Sequence, residues 1–554
     1  MNFKDFDKTA AYGKLSALAR GWKFDFVSKL DAERVKNCQV PLAAGLSYSW
    51  AAKAVDDGVL AVLGELAEEQ ELTGKYRALL EGEVMNTGEG RKVLHQLLRS
   101  QDGLAATGKP VIHQGRNVGE FYLRELDRFC AFADKVRAGA IKGSSGRPFS
   151  HVAQIGIGGS DLGPRAVYLA LENWARAEGK RKLRAKFISN VDPDDASQII
   201  SSVPLEETLF ILVSKSGTTQ ETLANELFAK DKLKKAGLDP SKHLAAVTSE
   251  TSPLARSSDY LDSFYIDDFI GGRYSSSSGV GGVILSLAFG PEVFRDFLAG
   301  AREADKAALE PDILKNAALL DALIGVWERN FLAYPYTAIL PYSQALSRFP
   351  AHLQQLDMES NGKRVNRNGI PVNYSTGPVV FGEPGTNGQH SFYQLLHQGT
   401  DTVPLQFVGF ADSQLGDDVS VDGSDSQQKL KANLAAQIVA FAKGRLAGPG
   451  RSAGPDQPGT GDAADRNKEF PGGRPSSLIY GKRLNPAALG ALLAHFENKV
   501  MFQGFVWNIN SFDQEGVQLG KILTKKVLAA RSGGGSGDAA LDAALHAYSK
   551  ILGV

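Results

Sequence analysis

The chain is 554 residues long, more than one hydrophobic core usually supports, which excludes a single small domain and favours several domains that share a cleft. Hydrophobic residues make up 43% and charged residues 22% of the chain, which excludes disorder of the whole protein. The 62 basic and 62 acidic residues balance, so no net field attracts nucleic acid or an anionic membrane, and local groups must hold any charged ligand.

The sequence carries no signal for secretion, membrane insertion or disulfide bonding. Its N-terminus mixes Asp and Lys early, and no later segment reaches the length of a membrane span. Cys38 and Cys130 are too few for a disulfide framework and lack metal-ligand spacing. We therefore expect a cytoplasmic protein with neither a membrane nor a nucleic-acid partner.

Residues 1–120 are expected to form a helical region that packs on the large domain. Apolar residues recur at helical spacing, as at Val59, Leu63 and Leu66, and the strand signal is weak. Residues 121–286 then predict a first, small α/β domain.

The prediction of that small domain comes from apolar runs that end in small-residue loops. The run VAQIGIGG starts at Val152 and TLFILV starts at Thr208, and each precedes a helical pattern. Further runs at 243–247 and 262–266 continue the alternation. Together they favour a parallel sheet with helices on both faces.

Residues 287–513 predict a second, large α/β domain. Strand-like runs occur at 336–340, 378–381 and 402–408, and an apolar helix follows at 427–443.

Two stretches of the C-terminal region are unsuited to a core. Residues from about 447 to 477 are rich in Gly, Pro, Asp and Ser and predict a surface insertion. Residues 514–554 contain a second glycine-rich stretch and are expected to form a C-terminal arm.

A group of hydroxyl side chains, one lysine and one glycine follows the buried run at 208–213 and opens a helix. The group consists of Ser214, Lys215, Ser216, Gly217, Thr218 and Thr219. Hydroxyls and backbone N–H groups meet there at a helix N-terminus, where the dipole favours an anion such as a phosphate monoester. Helix capping is the alternative, but it explains only one or two of these hydroxyls.

A glycine turn, Gly156 to Ser160, follows the run at Val152 in the same way. A turn of this kind is weak evidence alone, because a dinucleotide fingerprint requires G-x-G-x-x-G and this sequence departs from it at Asp161. If the two strands are neighbours, the two loops can share one ligand.

Four further segments carry side chains suited to proton transfer. Glu359 lies in QQLDMESNGK, Arg273 in GGRYSSSS, and Lys521 in FDQEGVQLGK, while His390 and His397 follow a glycine-rich loop. Each residue alone is more often a surface charge or a core residue. In combination they supply the base, the oxyanion-stabilising cation and the acid that aldose–ketose isomerisation requires.

The chain resembles the glucose-6-phosphate isomerase family in GIGGSDLGP, SKSGTTQET, GGRYS, DMESNGK, GEPGTNGQHSFYQLLHQGT and FENKVMFQGFVWNINSFDQEGVQLGK. The resemblance runs in order from about Gly82 to Lys521. It implies an α/β fold with two sugar-isomerase-type three-layer αβα sandwich domains and mainly parallel sheets, plus the helical N-terminal region and the C-terminal arm.

The resemblance also implies an activity and an assembly. The reaction is the reversible isomerisation of glucose 6-phosphate and fructose 6-phosphate, through ring opening and a cis-enediolate, in glycolysis and gluconeogenesis. No cofactor and no metal are expected. The implied assembly is a homodimer in which His390 reaches the active site of the neighbouring subunit.

The roles that the resemblance implies fall on named residues. Glu359 is the base, Arg273 stabilises the enediolate, and His390 and Lys521 serve ring opening and proton transfer at oxygen. Substrate contacts are implied for Gln355 and Gln514 at the sugar hydroxyls and, at the phosphate, for Gly159, Ser160, Ser214, Lys215, Ser216, Thr218 and Thr219.

Some positions depart from the family pattern. Residues 276–279 are smaller than the family's, which predicts extra space near Ser277, and Glu515, Gln518 and Gly473 also differ. Three alternatives stay open: a non-catalytic sugar-phosphate sensor, a nucleotide-dependent oxidoreductase with Asp192 as its ribose-binding acid, and an additional extracellular signalling role.

Overall fold

The computed structural model describes residues 3–445, 467–531 and 539–554, and the chain divides into two compact units, Met1–Ser511 and Phe512–Val554. All described strands belong to the first unit: β1 Gln39–Ala43, β2 Leu46–Ser49, β3 Val84–Asn86, β4 Arg91–Lys92, β5 Ile112–His113, β6 Arg116–Asn117, β7 His151–Ile155, β8 Arg184–Ile188, β9 Thr208–Val213, β10 Leu244–Thr248, β11 Ser263–Tyr265, β12 Tyr336–Tyr342, β13 Val379–Gly382, β14 Leu405–Asp412, β15 Ser420–Val421, β16 Ser424–Asp425 and β17 Ser476–Arg483.

The described helices of the first unit are α1 Ala10–Ala19, α2 Phe26–Lys29, α3 Ala32–Asn37, α4 Asp57–Glu69, α5 Leu72–Leu80, α6 Val118–Arg137, α7 Leu162–Ala177, α8 Pro193–Ser201, α9 Gln220–Lys235, α10 Gly279–Phe289, α11 Pro291–Ala307, α12 Ala317–Val326, α13 Phe349–Gln354, α14 Tyr393–Gln398, α15 Ser426–Lys443 and α16 Pro486–Val506. The second unit contains α17 Gln518–Arg531 and α18 Ala539–Ile551. In the described part of the chain, no helix is both long and apolar enough to cross a membrane.

The first sheet has five parallel strands in the order β11-β10-β9-β7-β8. Every residue of β9, TLFILV, is buried, as expected for a central strand covered on both faces. Because β7 and β9 are neighbours, the loops that follow them emerge side by side at the carboxyl edge of the sheet. This edge is where open parallel sheets bind ligands.

The second sheet has six strands in the order β1-β2-β17-β14-β12-β13. The strands β17, β14, β12 and β13 are parallel; β2 pairs antiparallel with β17, and β1 pairs antiparallel with β2. Leu405 and Phe407 of β14 are fully buried in the core of this sheet. The predicted α/β class with mainly parallel sheets is confirmed.

The N-terminal region is less purely helical than its sequence pattern indicates. The β1–β2 hairpin extends the six-stranded sheet, although little strand signal was expected there. The strands are short, and the side chains of β1 alternate between exposed and buried from Gln39 to Leu42, with Pro41 inside the strand and paired with Ser47. The turn between them places Ala44 at φ 49° and Gly45 at φ 76°, so the chain reverses within two residues.

The predicted insertion at 447–477 ends earlier than its composition indicates. Residues 446–466 lie outside the described part, but residues 474–477 are buried. Ser476 and Ser477 begin β17 and pair with Leu405 and Gln406 in the middle of the sheet. Backbone pairing places these polar residues in the interior, which composition alone does not indicate.

Helix α16 packs against α11 at the centre of the first unit. A methyl group on Gly490 would lie 1.9 Å from the Phe297 carbonyl oxygen, and one on Gly300 would lie 1.9 Å from that of Ala487. The two backbones therefore meet at distances that no side chain permits.

Candidate active site

The Ser214–Thr219 loop connects the carboxyl end of β9 to α9. Ser214 Oγ accepts from the Gly217 N–H at 3.1 Å and donates to Thr219 Oγ1 at 3.2 Å. Thr219, at the N-cap position, makes no side-chain hydrogen bond to the helix. Capping therefore does not explain the loop, and the first-turn N–H groups of α9 point toward it as an anion site would require.

Two other side chains of the loop also take fixed positions. Ser216 Oγ accepts from the Thr218 N–H at 3.2 Å and from its hydroxyl at 2.9 Å. Lys215 Nζ donates to the Ile270 carbonyl at 3.1 Å and lies 3.8 Å from Asp268. Burial lowers the pKa of Lys215, and the negative charge of Asp268 opposes that shift. Asp268 therefore balances part of the positive charge that Lys215 brings to the loop.

The glycine turn after β7 meets the loop that carries Arg273. A methyl group on Gly159 would lie 2.2 Å from the carbonyl carbon and oxygen of Gly272, so these two backbones are in direct contact. Gly158 has φ +62°, and Gln355 Nε2 lies 3.4 Å from the position of a Cβ there. The turn that contains Ser160 thereby contacts both the Arg273 loop and Gln355.

Arg273 is 1% exposed and is held rigidly. Its Nε donates to Ser360 Oγ at 2.7 Å, and its Nη2 donates to the Ser511 carbonyl at 2.7 Å. The Tyr274 hydroxyl hydrogen-bonds to Ser360 Oγ at 2.8 Å. These contacts leave Nη1 directed toward Glu359, with 3.5 Å between Nη1 and Oε2.

Glu359 ends a π-helical turn, Gln355–Glu359, that follows α13. Turns of this kind are frequent at functional sites. The Glu359 side chain is 20% exposed, and its buried Oε2 accepts no hydrogen bond among the described residues. A carboxylate placed beside a guanidinium, with lone pairs available, suits a general base next to an oxyanion-stabilising group.

The two histidines after the glycine-rich loop have different environments. His390 is exposed at the end of the turn Asn387–His390, and no described hydrogen bond, ion pair or ring contact links it to Arg273 or Glu359. His397 stacks on Phe441 at 3.7 Å and hydrogen-bonds to Gln437. His397 is therefore half-buried and packs against Phe441 of the core of the second sheet.

Gln514 and Lys521 lie in the second compact unit, where both are exposed. Lys521 is on α17, and Gln514 directly precedes the short turn Glu515–Val517. Within the first unit, the structure brings together Gly159, the turn of Ser160, Arg273, Gln355 and Glu359.

Ser360, the buried hydroxyl that links Arg273 to Tyr274, is absent from the predicted site residues. Its position directly after Glu359 was the only signal, and a small polar residue there is ambiguous. Gly272, which the contact with Gly159 requires, is also absent from the predicted residues.

The expected extra space near Ser277 is largely filled. Arg99 Nε donates to Ser277 Oγ at 3.3 Å, and the Arg99 guanidinium pairs with Asp305 at 2.7 Å. Ser277 also borders a cavity of about 20 Å³, which has room for about one water molecule. Asp192, the acid that a dinucleotide site would need, instead accepts from the Asp194 N–H and caps α8. Among the described residues, no group of three His, Cys, Asp or Glu side chains is arranged to hold a metal ion.

The family model, the curated relatives and the solved structure that match this chain agree with one another, and each covers most of its length. The family model described as phosphoglucose isomerase matches residues 49–542. The glucose-6-phosphate isomerase of Treponema pallidum (strain Nichols) is 60% identical over 531 residues, with 96% of each chain covered. That of Treponema denticola is 57% identical over 558 residues, with 100% of each covered. The crystal structure of a glucose-6-phosphate isomerase from Chlamydia trachomatis matches with a TM-score of 0.87 at 40% identity, covering 99% of this chain and 100% of that chain.

Proposed function

The chain belongs to the phosphoglucose isomerase family, and from that premise we propose that the site around Arg273 and Glu359 interconverts glucose 6-phosphate and fructose 6-phosphate. The observation that carries the proposal is the placement of the Glu359 carboxylate 3.5 Å from the buried Arg273 guanidinium. Both lie beside the glycine turn next to a loop suited to phosphate.

The phosphate of the substrate binds the Ser214–Thr219 loop and Ser160. Hydroxyls, the N-terminus of α9 and Lys215 supply donors and positive charge there. Gly159 lines the same pocket, because only hydrogen fits against Gly272. Binding at the phosphate anchors the sugar at a distance from the reacting carbons.

At the sugar, Glu359 removes the proton from one of C1 and C2 and returns it to the other. Arg273 stabilises the negative oxygen of the enediolate that forms between the two steps. Gln355 and Gln514 contact the sugar hydroxyls. His390 and Lys521 open the ring and move protons at oxygen.

Isomerisation of fructose 6-phosphate in D₂O tests this function. Purified protein without added nucleotide should form glucose 6-phosphate, and part of the product should carry deuterium at C2, because the base exchanges its proton with solvent. Nuclear magnetic resonance of the product measures both. Binding of the sugar phosphate without conversion would contradict the proposal and favour a sensor.

We also propose that the protein acts as a homodimer and that His390 completes the site of the partner subunit. The support is that His390 is exposed and has no described link to the Arg273–Glu359 pair of its own chain. Refolding a mixture of His390→Ala and Glu359→Gln proteins tests this arrangement. Mixed dimers contain one intact site, so activity should return to about a quarter of the wild-type level. No recovery in verified mixed dimers would place both residues in one chain's site.

We also propose that the protein is located in the cytoplasm and acts there in glycolysis and gluconeogenesis. Fractionation of the source organism should recover the isomerase activity with the cytoplasmic fraction. Recovery with membranes or in the medium would contradict this location.

A further inference from the structure

A cavity of about 30 Å³ lies behind the turn that carries Glu359. Gln355 and Glu359 face the candidate active site, whereas Leu356 and Asp357 of the same turn line the cavity. The opposite wall includes Lys499 and Gln503 of α16. A cavity of this volume holds about two water molecules.

Most charges around this cavity are directly paired. Lys53 and Glu328 form a buried ion pair at 2.9 Å. Lys499 Nζ donates to Asp321 Oδ1 and to Gln406 Oε1, both at 3.1 Å. The cavity is therefore polar on several sides.

Asp357 differs from these charged residues. It is 9% exposed, and its Oδ1 accepts no hydrogen bond from the described residues. Burial raises the pKa of the Asp357 carboxyl, and Lys499 and the Asn361 side chain act against that shift. Gln503 Oε1, across the same cavity, is also buried without a donor. Two such oxygens lining one polar cavity are the arrangement in which buried water bridges protein groups.

We propose that Asp357 is a positioning residue for the isomerisation. Through water in the cavity it ties the Gln355–Glu359 turn to Lys499 and Gln503 of α16, and so fixes the Glu359 carboxylate opposite Arg273. The inference rests on the proposed function, because it concerns how Glu359, the base of that reaction, is held in position.

Two features explain why this support is needed. A π-helical turn has less regular backbone hydrogen bonding than an α-helix, so side chains on its outer face help to set its position. In addition, Glu359 Oε2 accepts no hydrogen bond from the described residues, and the Arg273 Nη1 that faces it lies 3.5 Å away, so the position of the turn itself matters for the base. The buried carboxylate of Asp357 itself costs stability, which makes a purely stabilising role a poor account of it.

Steady-state kinetics of Asp357→Asn tests the proposal, with the wild type assayed first. Absence of turnover by the wild type would contradict the proposed function rather than this inference. If the wild type is active, kcat of the variant should fall by roughly tenfold to a hundredfold, because a small displacement of a base is costly. KM should stay within about twofold, since the Ser214–Thr219 loop, which is proposed to bind the phosphate, follows a strand of the other sheet.

The melting temperature separates positioning from structural support. The variant should melt no lower than the wild type, because the substitution removes a buried charge and keeps the shape. A lower melting temperature with wild-type kcat would overturn the proposal.

Thr337→Val is the matched control, because Thr337 lines the same cavity from β12 but does not belong to the turn. It should retain wild-type kcat, and an equal loss there would also overturn the proposal. If Asp357→Asn is not recovered folded, Gln503→Leu decides: a reduced kcat at similar KM supports the water link, and an unchanged kcat contradicts it.

Discussion

Arg273 shows at the scale of one residue how the site gains its rigidity. Its guanidinium is buried, and Ser360 and the Ser511 carbonyl take two of its N–H groups. Only a planar group with several donors can make these contacts and still face Glu359. Lysine has the same charge but a single donor point, so charge alone does not reproduce this geometry.

Replacing Arg273 by lysine should therefore reduce kcat by roughly a hundredfold, the usual effect of losing an oxyanion-stabilising donor. Arg474→Lys is the control, because Arg474 is also buried but donates to Gly399, Asp401 and Thr402 away from the site. The control should lower the melting temperature and keep wild-type kcat. Wild-type kcat in Arg273→Lys would mean that another group stabilises the enediolate.

The Asp357 carboxyl predicts a pH dependence of stability. Burial raises its pKa from 3.8 to about 6. Lys499 and Asn361 oppose this shift, and Asp321 adds to it. Lys53 and Glu328 are further charged residues that line the same cavity. The folded protein therefore holds the proton more tightly than the unfolded chain. The stabilisation is present at acid pH and is lost as the pH rises through about 6, by at most about 3 kcal/mol.

Calorimetry of wild type and Asp357→Asn checks this sign. The variant should gain in melting temperature relative to the wild type when the pH is raised from about 5 to about 8, because only the wild type must ionise Asp357, while all other carboxyls are common to both proteins. An equal difference between the two proteins at both pH values would show that Asp357 does not titrate in this range.

At the scale of elements, glycines set how closely neighbouring segments approach. Gly159 and Gly272 bring the turn after β7 against the Arg273 loop, and Gly300 and Gly490 bring α11 against α16. The first contact is part of the site. The second holds α16 against α11, and α16 carries Lys499 and Gln503.

Gly490→Ala tests the helix contact. Its methyl group would meet the Phe297 carbonyl oxygen, so the free energy of unfolding should fall by roughly 1–3 kcal/mol or more. Gly13→Ala is the matched control, because Gly13 lies in α1 with no atom within 4 Å of the new methyl, and it should gain about 0.5–1 kcal/mol. Denaturant unfolding measures both, and equal stability of the two variants would contradict the close packing.

At the scale of the whole molecule, the candidate site uses both sheets. The Ser214–Thr219 loop and the glycine turn follow β9 and β7 of the five-stranded sheet, while the Glu359 turn lies in the segment between β12 and β13 of the six-stranded sheet. Arg273 joins the two through Gly272 on one side and Ser360 on the other.

Much of this arrangement was predictable from the sequence, and the remaining features could not be predicted for physical reasons. The parallel sheets followed from fully buried, mostly apolar runs such as TLFILV, whereas the anion-binding role of the Ser214–Thr219 loop stays a prediction. The β1–β2 hairpin was missed because short, half-polar strands gain their stability from β17 rather than from their own pattern. The Ser360 link and the Asp357 cavity depend on contacts between distant segments, which no local pattern encodes. The domain boundaries stay predictions.

The most direct test of the account is the rate of fructose 6-phosphate conversion by Glu359→Gln beside the wild type. Glu81→Gln serves as the matched control, since Glu81 has a side-chain exposure of 24% against 20% for Glu359 and also pairs with a cation, Lys109. We expect Glu359→Gln to bind the sugar phosphate but to lose a factor of about 10² to 10⁴ in kcat, while the control keeps its activity. Near-wild-type turnover by a folded Glu359→Gln protein would show that another residue is the base and would contradict the account.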